Sequence, residues 1–154
     1  MYNYLMAKKA LLSRTTVIPK WHRGESIPIP VIRRYARQVV KRFKPEKIIL
    51  FGSYAYGTPH KDSDVDLLVV MPARNEIDQS IQIRWTLPAP FPMDLLVRTP
   101  KNLKWRLKEG DWFLREVVSQ GKVLYEKNDR RVGAKSRSRR RNGQNSGRRE
   151  NGIL

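Results

Sequence analysis

Two aspartates, Asp64 and Asp66, stand two residues apart at the start of an apolar run. In a β-strand, residues two apart point to the same face, so the pair would lie about 6–7 Å apart along the backbone. Two carboxylates so placed repel each other unless a cation neutralises them. Magnesium suits the position, because it takes hard oxygen ligands and keeps coordination sites for substrate phosphates. By itself such a pair is equally the polar end of an ordinary strand. A third acid, Asp94, opens the run MDLLV, much as Asp66 opens DLLVV. If the two runs are neighbouring strands, three carboxylates gather at one end of a sheet; alone, Asp94 reads as a strand-end acid. Upstream, a buried-looking run ends in Gly52-Ser53. Glycine lets the backbone approach a ligand closely, and N–H groups at a helix start beside a serine hydroxyl suit a phosphate. The other reading of Gly52-Ser53 is a plain strand-to-helix turn. Together these residues describe a metal site next to a phosphate site.

The elements that must position them follow from periodicity and punctuation. Lys47–Phe51 reads as a buried strand, residues 54–56 as a short helix capped by Ser53, and 57–63 as a loop. A second strand is predicted over 64–71 and a third over 93–97. Between them, 76–85 has helical spacing through Ile77, Ile81 and Trp85, while the three prolines in 87–92 exclude regular structure. Before the first strand, Ile32, Tyr35, Ala36, Val39, Val40 and Phe43 form one face of a helix over 30–44, which Pro45 stops. Its other face carries Arg33, Arg34, Arg37, Lys41, Arg42 and Lys44, read as a solvated surface or as a contact for nucleic acid or an acidic partner. After Pro100, helices are predicted over 102–109 and 112–119. The second is capped by Asp111 and buries Phe113, Leu114, Val117 and Val118; Lys122–Glu126 is a last strand. The four tryptophans, at 21, 85, 105 and 112, read as packing residues, with base-stacking platforms as the other reading. His60 and Lys61 read as a solvated loop. Arg84, Arg98 and Lys101 are all candidates to neutralise phosphate.

The stretch GSYAYGTPHKDSDVDLLV, residues 52–69, resembles the G-S-x-x-x-G … S-D-x-D-L signature of the DNA polymerase beta-type nucleotidyltransferases, above all their small antitoxin-like minimal members. Gly52, Ser53, Gly57, Ser63, Asp64, Asp66 and Leu67 fit it, with Asp94 as the third acid. The resemblance covers about residues 30–126. It implies an α/β (α+β) fold, a small mixed β-sheet with helices packed on it, like the superfamily's catalytic core. It implies that Asp64, Asp66 and Asp94 hold two Mg²⁺ ions, that Asp94 helps deprotonate the attacking hydroxyl, and that Gly52 and Ser53 hold the β- and γ-phosphates of ATP or another nucleoside triphosphate. The implied reaction moves a nucleoside monophosphate, AMP for an ATP donor, to an acceptor hydroxyl and releases pyrophosphate. Small members commonly pair with helical HEPN-type toxins and modify a toxin tyrosine, so such a protein is the partner implied here.

Composition bounds the remainder. The 154 residues suit one domain with tails. Without cysteine there are no disulfides and no Cys-based zinc sites, and two histidines are few for zinc. No apolar run approaches the roughly 18 residues of a membrane span, and the first residues lack a secretory signal's zones, so the cytoplasm is expected. Net charge is +18, unevenly spread: residues 1–30 hold five basic residues against one acidic, 31–126 hold 17 against 11, and 127–150 hold ten against two. Residues 1–27 are expected to be a poorly ordered basic leader, 28–126 the nucleotidyltransferase domain, and 127–154 a disordered basic tail. Such charge favours polyanions. The competing reading of the chain is therefore a module that binds RNA, DNA or a partner through its basic surfaces, with RNA 3′-end nucleotidyl transfer joining the two.

Overall fold

The computed structural model describes residues 20–22 and 24–127. Most of the 1–27 leader and the 128–154 tail lie outside the described residues. Four strands form a mixed sheet in the order β3-β2-β1-β4: β1 (Lys47–Phe51), β2 (Val65–Val70), β3 (Met93–Arg98) and β4 (Lys122–Glu126). β1 runs antiparallel to β2 and β4, whereas β2 and β3 are parallel. This is the small mixed sheet expected. The near-continuous apolar runs of β1 and β2 follow from burial on both faces.

One face packs Ile48, Leu50, Leu67, Val69, Leu95 and Val97 against α1 (Ile29–Phe43) and α3 (Glu76–Thr86). The face of α1 that carries Ile32, Tyr35, Ala36 and Val39 is buried as its 3.6-residue spacing requires. Its last turn closes on Lys44 in the left-handed conformation, with the Lys44 N–H bonded to the Val40 carbonyl, and Pro45 follows. The opposite sheet face packs Ile49, Phe51, Leu68, Val70 and Leu96 against α4 (Pro100–Lys108) and α5 (Trp112–Gln120). Asp111 caps α5 by accepting from the Leu114 N–H at 3.0 Å. Leu114 and Val117 are buried, but Phe113 is only half-buried and Val118 is exposed, so α5 presents a narrower apolar stripe than its sequence predicts. Each fully buried aliphatic side chain in these two layers contributes about 1.5–3 kcal/mol.

The described end of the leader is packed. Trp21 lies against the first core layer with its N–H bonded to Pro90, and Ile27 is buried with its N–H donating to the Tyr54 hydroxyl. Packing does not extend to the other tryptophans: Trp85, Trp105 and Trp112 are exposed.

α3 departs most from expectation. The predicted stripe Ile77–Ile81–Trp85 faces solvent, at 69%, 47% and 83% exposure, and Ile83 is the helix's buried residue. A polar anchor sets this rotation. The Glu76 carboxylate accepts the Thr99 N–H at 2.7 Å and the Asn102 amide at 2.8 Å, and pairs with Arg98 at 3.5 Å. Holding Glu76 inward brings Ile83, seven residues on, to the same side of the helix. Burial alone would push the Glu76 carboxyl up; the bonds from Thr99 and Asn102 and the Arg98 charge outweigh it and hold the carboxyl below its ordinary value. A group whose folded pKa is depressed stabilises above its unfolded pKa and loses that contribution as pH falls through the folded value. Glu76→Gln should therefore lower stability at pH 7 by about 1–3 kcal/mol. In paired thermal melts the gap to the parent protein should narrow steadily below about pH 4; a constant gap would show that charge has no part in the anchor.

Candidate active site

The acids take their places from strand register. Asp66 in β2 is paired on one side with Asp94 in β3 and on the other with Phe51 in β1. Neighbouring strands lie about 4.8 Å apart, so Asp66 and Asp94 are immediate neighbours on one face. By alternation it is the face that packs Leu68, Val70 and Leu96 against α4 and α5. On that face Asp94 is exposed and Asp64 and Asp66 are half-buried. Asp64 immediately precedes β2, two residues before Asp66, and its Oδ1 is buried without a hydrogen-bond partner. All three acids named from the sequence thus come to one end of one face. Among the described residues they do not close around a single point as a finished ligand set.

The electrostatics point the same way. Burial is the first cause that pushes the Asp66 carboxyl up, to about 6, and the Asp94 and Asp64 charges add to it. An acid raised by burial and by like charges is one whose charge a bound cation would relieve. Hard oxygen donors, an orphaned buried carboxylate oxygen and mutual repulsion together fit a divalent ion with oxygen preference.

Gly52 follows β1 and lies directly against Asp66. It has φ +69° and ψ −158°, a region that other residues rarely adopt, and an added Cβ would collide with Asp66 Oδ2. Gly52, not Ser53, is the N-cap of α2 (Ser53–Tyr56), and no side chain caps that helix. The Ser53 hydroxyl, expected as the cap, is thus left without that duty at the mouth of the acid site. Ser63 is occupied instead: its hydroxyl accepts from the His60 N–H at 2.9 Å and contacts His60 Nδ1 at 3.1 Å, which ties down the loop that delivers Asp64.

Of the three candidate phosphate-neutralising cations, only Arg84 is at the acid end, where it donates to the Met93 carbonyl at 3.3 Å. Arg98 is held at the other end of β3 by Glu76, and Lys101 follows in α4. The sequence reading passed over Tyr56. Its hydroxyl donates to Glu116 at 3.0 Å, linking α2 to α5, and burial, Glu116 and then Asp66 raise it above the ordinary phenol value. Its position as the last residue of a turn that starts at Gly52-Ser53 was the available signal. A groove of about 550 Å³ lies between α4, α5 and the β1–β4 edge, lined by Glu46, Val70 and Lys127. It is at the opposite end of the sheet and takes no part in the acid site.

The close approach at Gly52 is testable by stability alone. Gly52→Ala should cost about 1–3 kcal/mol, through a strained backbone and the clash with Asp66. In thermal melts, adding Asp66→Gly should return part of that loss by removing the carboxylate. Equal losses with and without Asp66→Gly would remove the contact from the account.

The chain is similar to several known proteins. A protein of Methanocaldococcus jannaschii named as a protein adenylyltransferase is 32% identical over 85 residues, covering 54% of this chain and 82% of that protein. Among solved structures, a toxin–antitoxin complex with AMP-PNP aligns over 62% of this chain and 74% of its own, at 24% identity and a TM-score of 0.46. A mutant of the MntA–HpeT toxin–antitoxin pair aligns over 67% and 76%, at 24% identity and a TM-score of 0.44. At those scores no residue role is carried across. Residues 32–125 match the nucleotidyltransferase domain family, and together with the archaeal relative this establishes that the chain belongs to that family and is a transferase.

Proposed function

We propose that the chain transfers AMP from ATP to a hydroxyl on a partner protein, with Asp64, Asp66 and Asp94 as the catalytic acids. The observation that carries this is the in-register pair Asp66–Asp94 beside Gly52, with the unpartnered Asp64 oxygen next to them. Asp64, Asp66 and Asp94 are the residues that would hold magnesium, two ions in the form the sequence resemblance implies. Magnesium bound there would supply charge neutralisation at the leaving oxygen and a lower pKa for the attacking hydroxyl.

The chain's own groups perform the rest. The Gly52 backbone at the start of α2 and the Ser53 hydroxyl bind the β- and γ-phosphates. Arg84 stands ready to offset phosphate charge near Asp94. Asp94 is the exposed acid of the three and is placed to take the proton of the incoming hydroxyl. The acceptor oxygen forms a bond to the α-phosphorus, the bond to the bridging oxygen breaks, and pyrophosphate leaves. Positioning and charge are then most of what the protein must contribute.

A protein acceptor is supported by the name of the archaeal relative. The tyrosine of a helical HEPN-type partner is the specific acceptor that the sequence resemblance implies. The test uses ATP labelled at the α-phosphate, with a γ-labelled control, magnesium and a candidate partner. The α-label alone should move to the partner, and chelation should stop it. Asp64→Ala, Asp66→Asn and Asp94→Asn should each reduce transfer on the order of 10³-fold, as expected for loss of several kcal/mol of transition-state stabilisation. Equal labelling by the parent protein and Asp64→Ala would refute the proposal.

A further inference from the structure

The most one-sided surface of the described molecule is the outer face of α1. Arg33, Arg34, Arg37, Lys41 and Arg42 are exposed along it, and Lys44 follows at its cap. The helix contains no acidic residue, and among the described residues none of these six cations forms a salt bridge. Arg33–Arg37 and Arg37–Lys41 are four apart, and Arg34–Arg37 three apart, spacings at which like charges destabilise a helix. The face therefore works against the helix's own stability. α1 covers the sheet face opposite the acids, because its core residues pack with Ile48, Leu50 and Leu67 while Asp66 shares the face of Leu68 and Val70. These cations are thus placed away from the nucleotide site.

We infer that the outer face of α1 binds the phosphodiester backbone of a nucleic-acid duplex. Charge complementarity is the first argument. The helix is about 22 Å long and spans about six phosphates of one strand at 3.4 Å per axial charge, against six cations on the face. The second argument is what the face lacks. Its exposed positions hold the cations, Gln38 and, in the first turn, Pro30, with no aromatic or large aliphatic anchor. A protein interface draws its affinity from such anchors, and single-strand binding from aromatic platforms. A predominantly cationic face is suited to backbone contact without base readout. The large exposed apolar residues of the described structure are elsewhere: at Tyr56, on α3, at Trp105 and Trp112, and at Val118 and Val123. The third argument is continuity. The Lys127 N–H bonds to the Glu46 carbonyl at 2.8 Å, two residues beyond the Lys44 cap, so the segment with ten basic residues against two acidic ones departs from the cationic end of α1.

The test measures fluorescence anisotropy of labelled 24-base-pair RNA and DNA duplexes of arbitrary sequence with the full chain, between 50 and 300 mM salt. The comparison is with a full-length variant carrying Arg34→Gln, Arg37→Gln and Lys41→Gln, whose thermal melt and AMP transfer serve as controls for folding and for the separate site. The expected result is binding by the parent chain with a steep salt dependence. In the variant the slope of log affinity against log salt should be smaller by about three, with affinity at 100 mM salt lower by at least about tenfold. An unchanged slope and affinity in the variant would assign all contact to the tail and overturn the inference, as would absence of duplex binding by the parent. Displacement of the duplex by polyglutamate at equal charge, as effectively as by unlabelled duplex, would assign the face to an acidic protein instead and overturn it equally.

Discussion

Three carboxylates crowded at one end of a sheet, with no salt-bridge partner among the described residues, are the constraint to which the rest of the structure answers. Their proximity has a cost, visible in the Asp66 carboxyl raised to about 6 by burial and by its two neighbours. A fold that wanted only stability would place a lysine or an apolar residue at one of these positions. Here the register puts Asp66 beside Asp94, and the loop tied by Ser63 delivers Asp64 to the same end. Gly52 gives the Asp66 carboxylate space that no other residue could leave. The two sheet faces then divide the remaining work. One is sealed by α1 and α3. The other is covered by α4 and α5 over Ile49, Phe51 and Leu68, while Asp94 stays exposed at its end.

The parts legible from sequence were those in which local pattern and tertiary role coincide. Strands buried on both faces announce themselves as apolar runs, so β1, β2 and β3 were found within a residue or two at each end. Acids at the head of two such runs were readable because burying a strand makes a charge at its mouth conspicuous. α1 was readable because one helical face holds nearly all its apolar residues. The signature around Gly52 and Asp66 then tied these pieces to a family that the domain match bears out.

Where the reading failed, a tertiary interaction outvoted a local pattern. In α3 the spacing of Ile77, Ile81 and Trp85 satisfies a helical period, and nothing within the helix favours Ile83 over them. The choice is made by Thr99, Asn102 and Arg98, which hold Glu76 from more than 20 residues away in sequence. The same limit applies to Ser53. A serine after a strand is a good cap by local rules, but positive φ at Gly52 moves the cap back one residue and releases the hydroxyl. The tryptophans were read as packing because large aromatics usually are, yet three are exposed. The surroundings of Trp105 and Trp112 depend on how α4 and α5 meet the sheet, and those of Trp85 on the rotation of α3, which no window of sequence contains.

Charge is segregated in this molecule in a way that bears on how it meets its ligands. A net charge of +18 sets up a field that draws nucleotides and nucleic acids towards the chain. The acids oppose that field locally, so an anionic donor gains little by approaching them while they remain unneutralised. Gly52-Ser53, with Gly52 against Asp66, and Arg84, on the Met93 carbonyl, are groups at that end that favour phosphate. The cations of α1 are on the other face, where they cannot cancel the acids by pairing. Had they been interleaved with Asp64, Asp66 and Asp94, ion pairs would cancel the repulsion among the acids. With the α1 cations on the opposite face, the acid end stays locally negative inside a strongly cationic protein. That separation also leaves the outer helix free to engage a polyanion without competing for the same ground.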